Sequence, residues 1–540
     1  IYQDFTGQAD LRASLVRRDW NVSATAQLIG VSYQKEALRF GTLAEEAPRV
    51  DLAGYGLEVG AGPTRLQVGH VSHGRHRHVI SGFASRGVVA GIAAADRFEA
   101  SVAALSATRV VGWRNPLGLA DRNHRLLSGL VAVDALRAPI AQVRLEGSVL
   151  AGSVVPTTGF NQGGIPDAAT SRGGGLRLIA SGINGRMRLE AGYAGSRYDN
   201  PLDRTLAQGD ALVPVRASTN YAHYVDASVD VLRNVRVTST LPVALRVGYR
   251  RERVDPLYQT VAAYVQSDRL HDAWEVQTSL GAASIQATHV RSRDNLADVP
   301  SILTTRTRQS GAGIGLPLQS FVRTTRSALS SLLPTLSYSF SMTIQVAAGL
   351  PENGGFSASH LPNQRSTVHS AGAAWYAGRW SAAYRMSAAF QDNRQEGREM
   401  ADFLNTTHGI SLSVAPLTVV NLSVDLDLDR AENREQDRVD HTRRIGFRAV
   451  VRPLSAITLT AYFSPTRSRD DARSTLTRRG STSLEGAYAF SIDRPRLAPV
   501  RGQFFVRYAR STSSFRGADP LLDARAEVWS INSGISLSLF

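Results

Sequence analysis

Hydrophobic and polar residues alternate with period two over most of this chain, and the pattern is cleanest between residues 403 and 470. Ile410, Leu412 and Val414 stand against Ser411 and Ser413. After the break Pro416-Leu417-Thr418, Val420, Leu422, Val424, Leu426 and Leu428 alternate with Asn421, Ser423, Asp425, Asp427 and Asp429. A polar stretch, 430–439, precedes Ile445, Phe447, Ala449 and Val451, and Pro453-Leu454-Ser455 turns the chain into Ile457, Leu459, Ala461 and Phe463. Successive side chains of a strand point to opposite faces, so each run predicts a strand of roughly ten residues with one apolar and one polar face. Soluble sandwiches use strands of about five or six residues and bury their apolar faces against each other. A membrane-crossing barrel needs strands of about 9 to 11 residues, apolar toward lipid and polar toward a wet lumen, with tight turns at one end and longer loops at the other. The alternation of tight break and long polar loop therefore favours the membrane barrel.

The rest of the chain repeats the unit. Gly62-Pro63 and Asn184-Gly185 mark tight turns, the second because both of its central positions tolerate positive φ. Stretches 30–50, 73–86, 108–124, 153–175, 199–217, 254–267 and 348–364 read as long loops. Residues 319–334 fit a long turn, a short helix or an element inside the lumen. The fold class expected is all-β, a large antiparallel up-and-down transmembrane β-barrel of about 24–26 strands, with 1–540 as one domain. About 25 strands are visible. An odd number with the C-terminus on the short-turn side implies a first strand upstream of Ile1, so the chain is expected to lack its natural N-terminus. A strand over 33–41 is the alternative way to restore an even number.

Composition sharpens this only in places. At 43% hydrophobic residues and a mean hydropathy of −0.15, no average flags a membrane protein, and no run of about 18 apolar residues offers a helical span. Barrels escape such averages because half of each strand faces water. There is no cysteine, which excludes disulfides and thiolate metal sites. The formal charge of +15 is carried by arginine, since Lys35 is the only lysine. The arginines are spread through strands and loops, which argues against a nucleic-acid partner and leaves anionic lipid or an acidic polymer.

The candidate lumen-lining charges are Asp425, Asp427 and Asp429 with Arg444 and Arg448 on the next strand, and Arg186, Arg188, Arg246, Arg250 and Arg385. Charged rings set the ion preference of many pores, although the plainer function of such residues is to keep a lumen wet and cross-paired. Trp20, Trp274, Trp375, Trp380, Phe463 and Trp529 are candidates for interfacial aromatic girdles. His70, His73, His76 and His78 have a spacing that could chelate a metal, but the interleaved Arg75 and Arg77 repel a cation and a solvated polar loop is the favoured reading. No phosphate loop, His-Glu-x-x-His or Gly-x-Ser-x-Gly motif occurs. The expectation is no enzyme, no metal and no cofactor.

The C-terminal run 528–540, ending in Leu537-Ser538-Leu539-Phe540, resembles the last strand of bacterial outer-membrane β-barrel proteins, with Phe540 out of phase with the preceding apolar residues. The segment 248–268 looks like loops of very large, translocon-type outer-membrane barrels. That resemblance implies a bacterial outer-membrane location. The partners it implies are outer-membrane lipid and lipopolysaccharide, the barrel-assembly machinery, and periplasmic or plug subunits. The function expected is a channel or export conduit passing solutes or polymer through a water-filled lumen. The alternative is a surface-binding or scaffold protein anchored by its barrel; an outer-membrane hydrolase comes third. Segments 319–334, 108–124, 153–175, 199–217 and 348–364 are the expected constrictions or gates.

Overall fold

The computed structural model describes residues 6–31, 50–108, 115–155, 168–200, 217–238, 241–321, 332–349, 360–494 and 497–539. Among them the alternating runs become 25 strands. The first stretch of wall holds β1 (Thr6–Arg17), β2 (Trp20–Val31), β3 (Val50–Ala61), β4 (Thr64–His76), β5 (Ile80–Ala94), β6 (Phe98–Ser106), β7 (Arg125–Arg137) and β8 (Ala141–Val154). It continues through β9 (Ala169–Gly182), β10 (Met187–Asp199), β11 (Ser218–Thr238), β12 (Leu241–Val254), β13 (Arg269–Leu280), β14 (Ala283–Arg293), β15 (Thr304–Pro317) and β16 (Thr335–Gly349). The last stretch is β17 (Asn363–Ala377), β18 (Trp380–Asn393), β19 (Phe403–Leu417), β20 (Val420–Asn433), β21 (Arg438–Leu454), β22 (Ile457–Asp470), β23 (Leu476–Arg494), β24 (Leu497–Arg516) and β25 (Ala524–Leu539).

Every strand pairs antiparallel with its sequence neighbours, from β1 with β2 to β24 with β25, in one up-and-down sheet. The fold is the large antiparallel β-barrel type that the alternation predicts. The sheet curls until β1 and β25 come within 8 Å of each other between Cα atoms, with no ladder between them among the described residues. Because neighbours alternate in direction, β1 and β25 run the same way, and a direct ladder there would be parallel. The 33–41 stretch lies outside the described residues.

The two ends of the sheet differ. At one end the connections are mostly tight, and several use positive φ: Arg18 at 51°, Gly62 at 54°, Asn184 and Gly185 at 55° and 77°, Gly281 at 62°, Gly378 at 57°. The ladder continues through these turns, for example from Gly62 N to Asp19 O, Ala93 N to Pro63 O and Ala489 N to Ala456 O, so the rim has few loose backbone groups. At the other end strands overrun the expected length. The polar stretch 430–439, expected to be a loop, is mostly strand, with β20 running to Asn433 and β21 starting at Arg438. Backbone pairing does not need apolar side chains to continue, so the ladder outlasts the apolar band. The illegible 319–334 segment opens with a 3-10 turn at Leu318–Ser320; 322–331 lie outside the described residues.

The structure corrects the sequence reading most sharply at 73–86. Pairing of β3 with β4 stops at Gly56 and Gly69, and pairing of β5 with β6 stops at Gly87 and Leu105. From Gly69 onward β4 leaves the wall, turns, and returns as β5, so residues 70–86 form a hairpin paired only with itself. Glycine makes the departure possible. Gly69 and Gly74 have φ of +110° and +95°, and a Cβ at Gly69 would lie 2.3 Å from Tyr55 O, one at Gly74 2.5 Å from Ile80 Cγ1. Gly69→Val is therefore expected to lower stability by at least about 1–2 kcal/mol, read as a lower urea midpoint of the detergent-refolded chain. Gly185→Ala, with nothing within 4 Å of its Cβ, should cost less.

Candidate functional site

The hairpin lies on the polar face of β6 to β12. His73 Nε2 meets Ser101 Oγ on β6 at 2.9 Å, and its Nδ1 meets Ser128 Oγ on β7 at 2.7 Å. His76 Nε2 faces Leu176 O on β9 at 3.2 Å. Arg77 pairs with Asp226 on β11 and sits 3.6 Å from Glu190 on β10. His78 Nε2 reaches Glu252 Oε1 on β12 at 2.5 Å. Even fully extended, 73–78 could span no more than roughly 17 Å, and 77–79 are a turn, while the contacts sweep six strand spacings, roughly 29 Å of sheet. The wall bends round the hairpin, which identifies the polar face as the concave one.

The hairpin tip is also held from above. In the loop 255–268, the Tyr258 hydroxyl donates to His78 O at 2.6 Å and Thr260 Oγ1 donates to Val79 O at 3.2 Å. Burial pushes the Tyr258 phenol up. Val79, Ile80, Val254, Tyr258 and Ala262 pack into one buried cluster with Leu105, Leu126 and Leu150 of the wall. His73, His76 and His78 are 7%, 1% and 2% exposed, so the expectation of a solvated loop is overturned. The apolar cluster and the charged wall together make the tip bury itself.

Below the tip the charges interlock. Arg75 bridges Glu99 at 2.6 Å and Glu146 at 3.4 Å; Arg144 reaches Glu99 at 2.7 Å, Glu146 at 2.8 Å and Asp134 at 3.1 Å; Arg177 joins Glu146 to Glu190, each at 3.0 Å. The Arg77 guanidinium stands 3.7 Å over the Tyr224 ring, whose hydroxyl donates to Glu190 at 2.7 Å. Glu146 is the buried member of this network, and a buried charge persists only when paired; the charges around it are partly exposed. The arrangement is built to hold an element in place. Both nitrogens of His73 and of His76 and the Nε2 of His78 are engaged with separate neighbours, and no group of three or more potential metal ligands occurs among the described residues.

The other candidate charges divide. Arg250 pairs with Asp226 at 2.6 Å and Arg246 with Asp230 at 3.2 Å, both on the concave face. Arg188 shares that face two residues from Glu190, whereas Arg186 sits in the tight turn before β10. On the far wall Asp427 is opposite Arg444, Asp425 opposite Gly446 and Asp429 opposite Thr442, while Arg448 stands across from Ser423. Arg385, two strands away on β18, bridges to Asp427 at 2.5 Å, closer than Arg444 at 4.0 Å. It crosses Gly409, where a Cβ would meet Arg385 Nε at 2.4 Å. The glycine between two charged strands is the signal that sequence reasoning passed over, as are the positive-φ glycines flanking 70–86.

All six girdle candidates share the apolar face. Trp20, Trp375 and Trp380 lie beside tight turns and Trp529 lies near the start of β25. Trp274 and Phe463 are in mid-strand, packed on Tyr249 and His289 (5.5 and 5.8 Å between centroids) and on Phe447 (6.4 Å). That face is apolar and bare, with Val102, Val149, Leu176 and Ile535 each more than half exposed.

No protein-family model and no curated protein matches the chain. Among solved structures, the translocation pore of the P pilus usher PapC is 10% identical, over 98% of this chain and 95% of that one, with a TM-score of 0.30. The alcaligin outer-membrane receptor FauA from Bordetella pertussis is 8% identical over 98% and 75%, at 0.27. OmpT, an outer membrane protein of Vibrio cholerae, is 9% identical over 65% and 95%, at 0.24. The barrel architecture follows from the strand pairing.

Proposed function

We propose that the chain is a bacterial outer-membrane channel or export conduit, non-enzymatic, whose water-filled lumen is narrowed from one side by the infolded hairpin 70–86. The observation that carries the reading is the division of faces. The convex side bears a bare apolar band, and the concave side bears interlocked carboxylates and arginines plus an element folded in from the wall. A wall of 25 strands at about 4.8 Å spacing, tilted as barrel strands are, has a perimeter of roughly 150 Å. A tube of that size cannot be filled by its own side chains, and a hairpin anchored to β6–β12 leaves most of the far wall free. Ser339, Ser341, Ser370 and Ser387 stand there on the concave face, neutral and hydrated, suited to passage of a polar cargo. Outer-membrane lipid surrounds the apolar band in this reading. The barrel-assembly machinery that inserts it, and periplasmic or plug subunits, are its expected partners.

Purified protein in planar bilayers is expected to give a large unitary current. Excising 71–85 and joining His70 to Arg86 through a short turn keeps the Tyr55–His70 and Arg86–Leu52 contacts that cover the wall beside β3, removes the infolded residues, and should raise that current. A silent bilayer from both proteins would favour the anchor reading, and an unchanged current would show that the hairpin does not narrow the path. Separately, the triple variant Asp425→Asn, Asp427→Asn, Asp429→Asn removes negative charge from the concave face while leaving Arg385 and Arg444. Reversal-potential measurements in a salt gradient should then shift toward anions.

A further inference from the structure

We propose that the convex, apolar face carries a binding site for phosphorylated lipid headgroups, formed by Arg443, Arg467 and Arg478 on three adjacent strands. Arg443 on β21 stands directly opposite Arg467 on β22, and Arg467 directly opposite Arg478 on β23. All three are exposed, and none forms an ion pair among the described residues. Directly opposed like charges on adjacent strands destabilise a sheet, yet here three occur in one row. The nearby acids are engaged or face away. Asp471 pairs with His441 at 2.8 Å and Glu432 with Arg430 at 3.1 Å, while Asp440 and Asp470 belong to the concave face. A row of guanidiniums without carboxylates is a site whose counter-charge comes from outside the chain.

Position says what kind of anion. Phe447 follows Arg443 by four residues and Phe463 precedes Arg467 by four, so the stacked Phe447–Phe463 pair lies on the same face, roughly 13 Å along the strands toward the tight turns. Leu484 continues the apolar surface on β23, half exposed. The arginines thus stand at the long-loop edge of the hydrophobic band, Arg443 directly across from the exposed Leu428. The occupant must be anionic at that level and carry acyl chains below it. Guanidinium forks match phosphate oxygens bidentately, and three in a row suit a headgroup with more than one phosphate. A second block repeats the device: Arg291 opposite Arg308 and Arg293 opposite Arg306, on β14 and β15, at the same end of the same face. Of these Arg293 pairs with Asp298 and Arg291 leans on His289, so the β21–β23 row is the more open. The proposal rests on the reading that the apolar face meets lipid.

The test uses the full chain in vesicles of zwitterionic phospholipid doped with lipid A carrying both phosphates, or with the same glycolipid dephosphorylated. The lipid retained after detergent extraction is measured by mass spectrometry. Wild type is expected to retain the phosphorylated form selectively. Arg443→Gln, Arg467→Gln, Arg478→Gln should lose roughly a hundred-fold of that retention, the size expected for three basic side chains at an anionic surface. The corresponding lysine variant should fall between. In neutral detergent without the lipid, the glutamine variant should unfold at the same temperature as wild type or higher, because repulsion is relieved. Equal retention of the two glycolipids, or no difference between wild type and the glutamine variant, overturns the site. Full displacement by millimolar inorganic phosphate also overturns it, in favour of a simple ion site. If these failures occur in protein that has inserted into the vesicles, the membrane reading stands; a chain that does not insert sinks both.

Discussion

Backbone pairing along a wall whose convex face is apolar and exposed is the interaction on which the remaining features depend. Backbone amides and carbonyls shielded from water must be paired, and each strand here finds its partners in the strands before and after it in sequence. The tight-turn rim extends this requirement through the turns themselves. Where the rule is relaxed, at the long-loop end, the chain uses the freedom in two ways. Most strands carry the ladder on past the apolar band with polar side chains, and β4 and β5 step out of the wall altogether.

The second of these departures is costly unless the hairpin satisfies itself. It does so through its own ladder, through a buried apolar cluster shared with loop 255–268, and through arginines and histidines seated among carboxylates from β6 to β12. Arg77 and His78 are the far reach of this arrangement, touching β10, β11 and β12 from a hairpin that begins between β3 and β6. Charge pairing at this density discriminates against alternative placements, since a shift leaves the buried Glu146 and the partly exposed charges around it without their partners. It also leaves the opening between the upper parts of β3 and β6 to be covered by Tyr55, whose hydroxyl reaches Pro116 O at 2.5 Å, and by the buried Arg86, bonded to Leu52 O.

The two faces of the far wall treat arginine in opposite ways. On the concave side Arg385 and Arg444 converge on Asp427, and Arg507 pairs with Glu485. On the convex side arginines stand opposite arginines, beyond the last aromatic pairs. Arginine thus closes a network inside, while outside Arg430 and Arg510 are paired and, among the described residues, the Arg443–Arg467–Arg478 row is not.

Period-two alternation by itself determined that the chain is an antiparallel barrel-type sheet of about 25 strands, with Asp425, Asp427 and Asp429 on one face and the tryptophans on the other. This was legible because face and register are local properties: once a strand forms, parity places every side chain. The Asn184-Gly185 turn was legible for the same reason. Tertiary structure alone decided that 70–86 folds inward, because Gly69 and Gly74 look like any loop glycines until their φ and the atoms around them are known. It also decided that Arg385 reaches over Gly409, that His73, His76 and His78 are buried, and that Arg443, Arg467 and Arg478 align. Each of these depends on which residues of non-neighbouring segments come opposite one another, and that register is set by how the sheet curls and where its ladders stop.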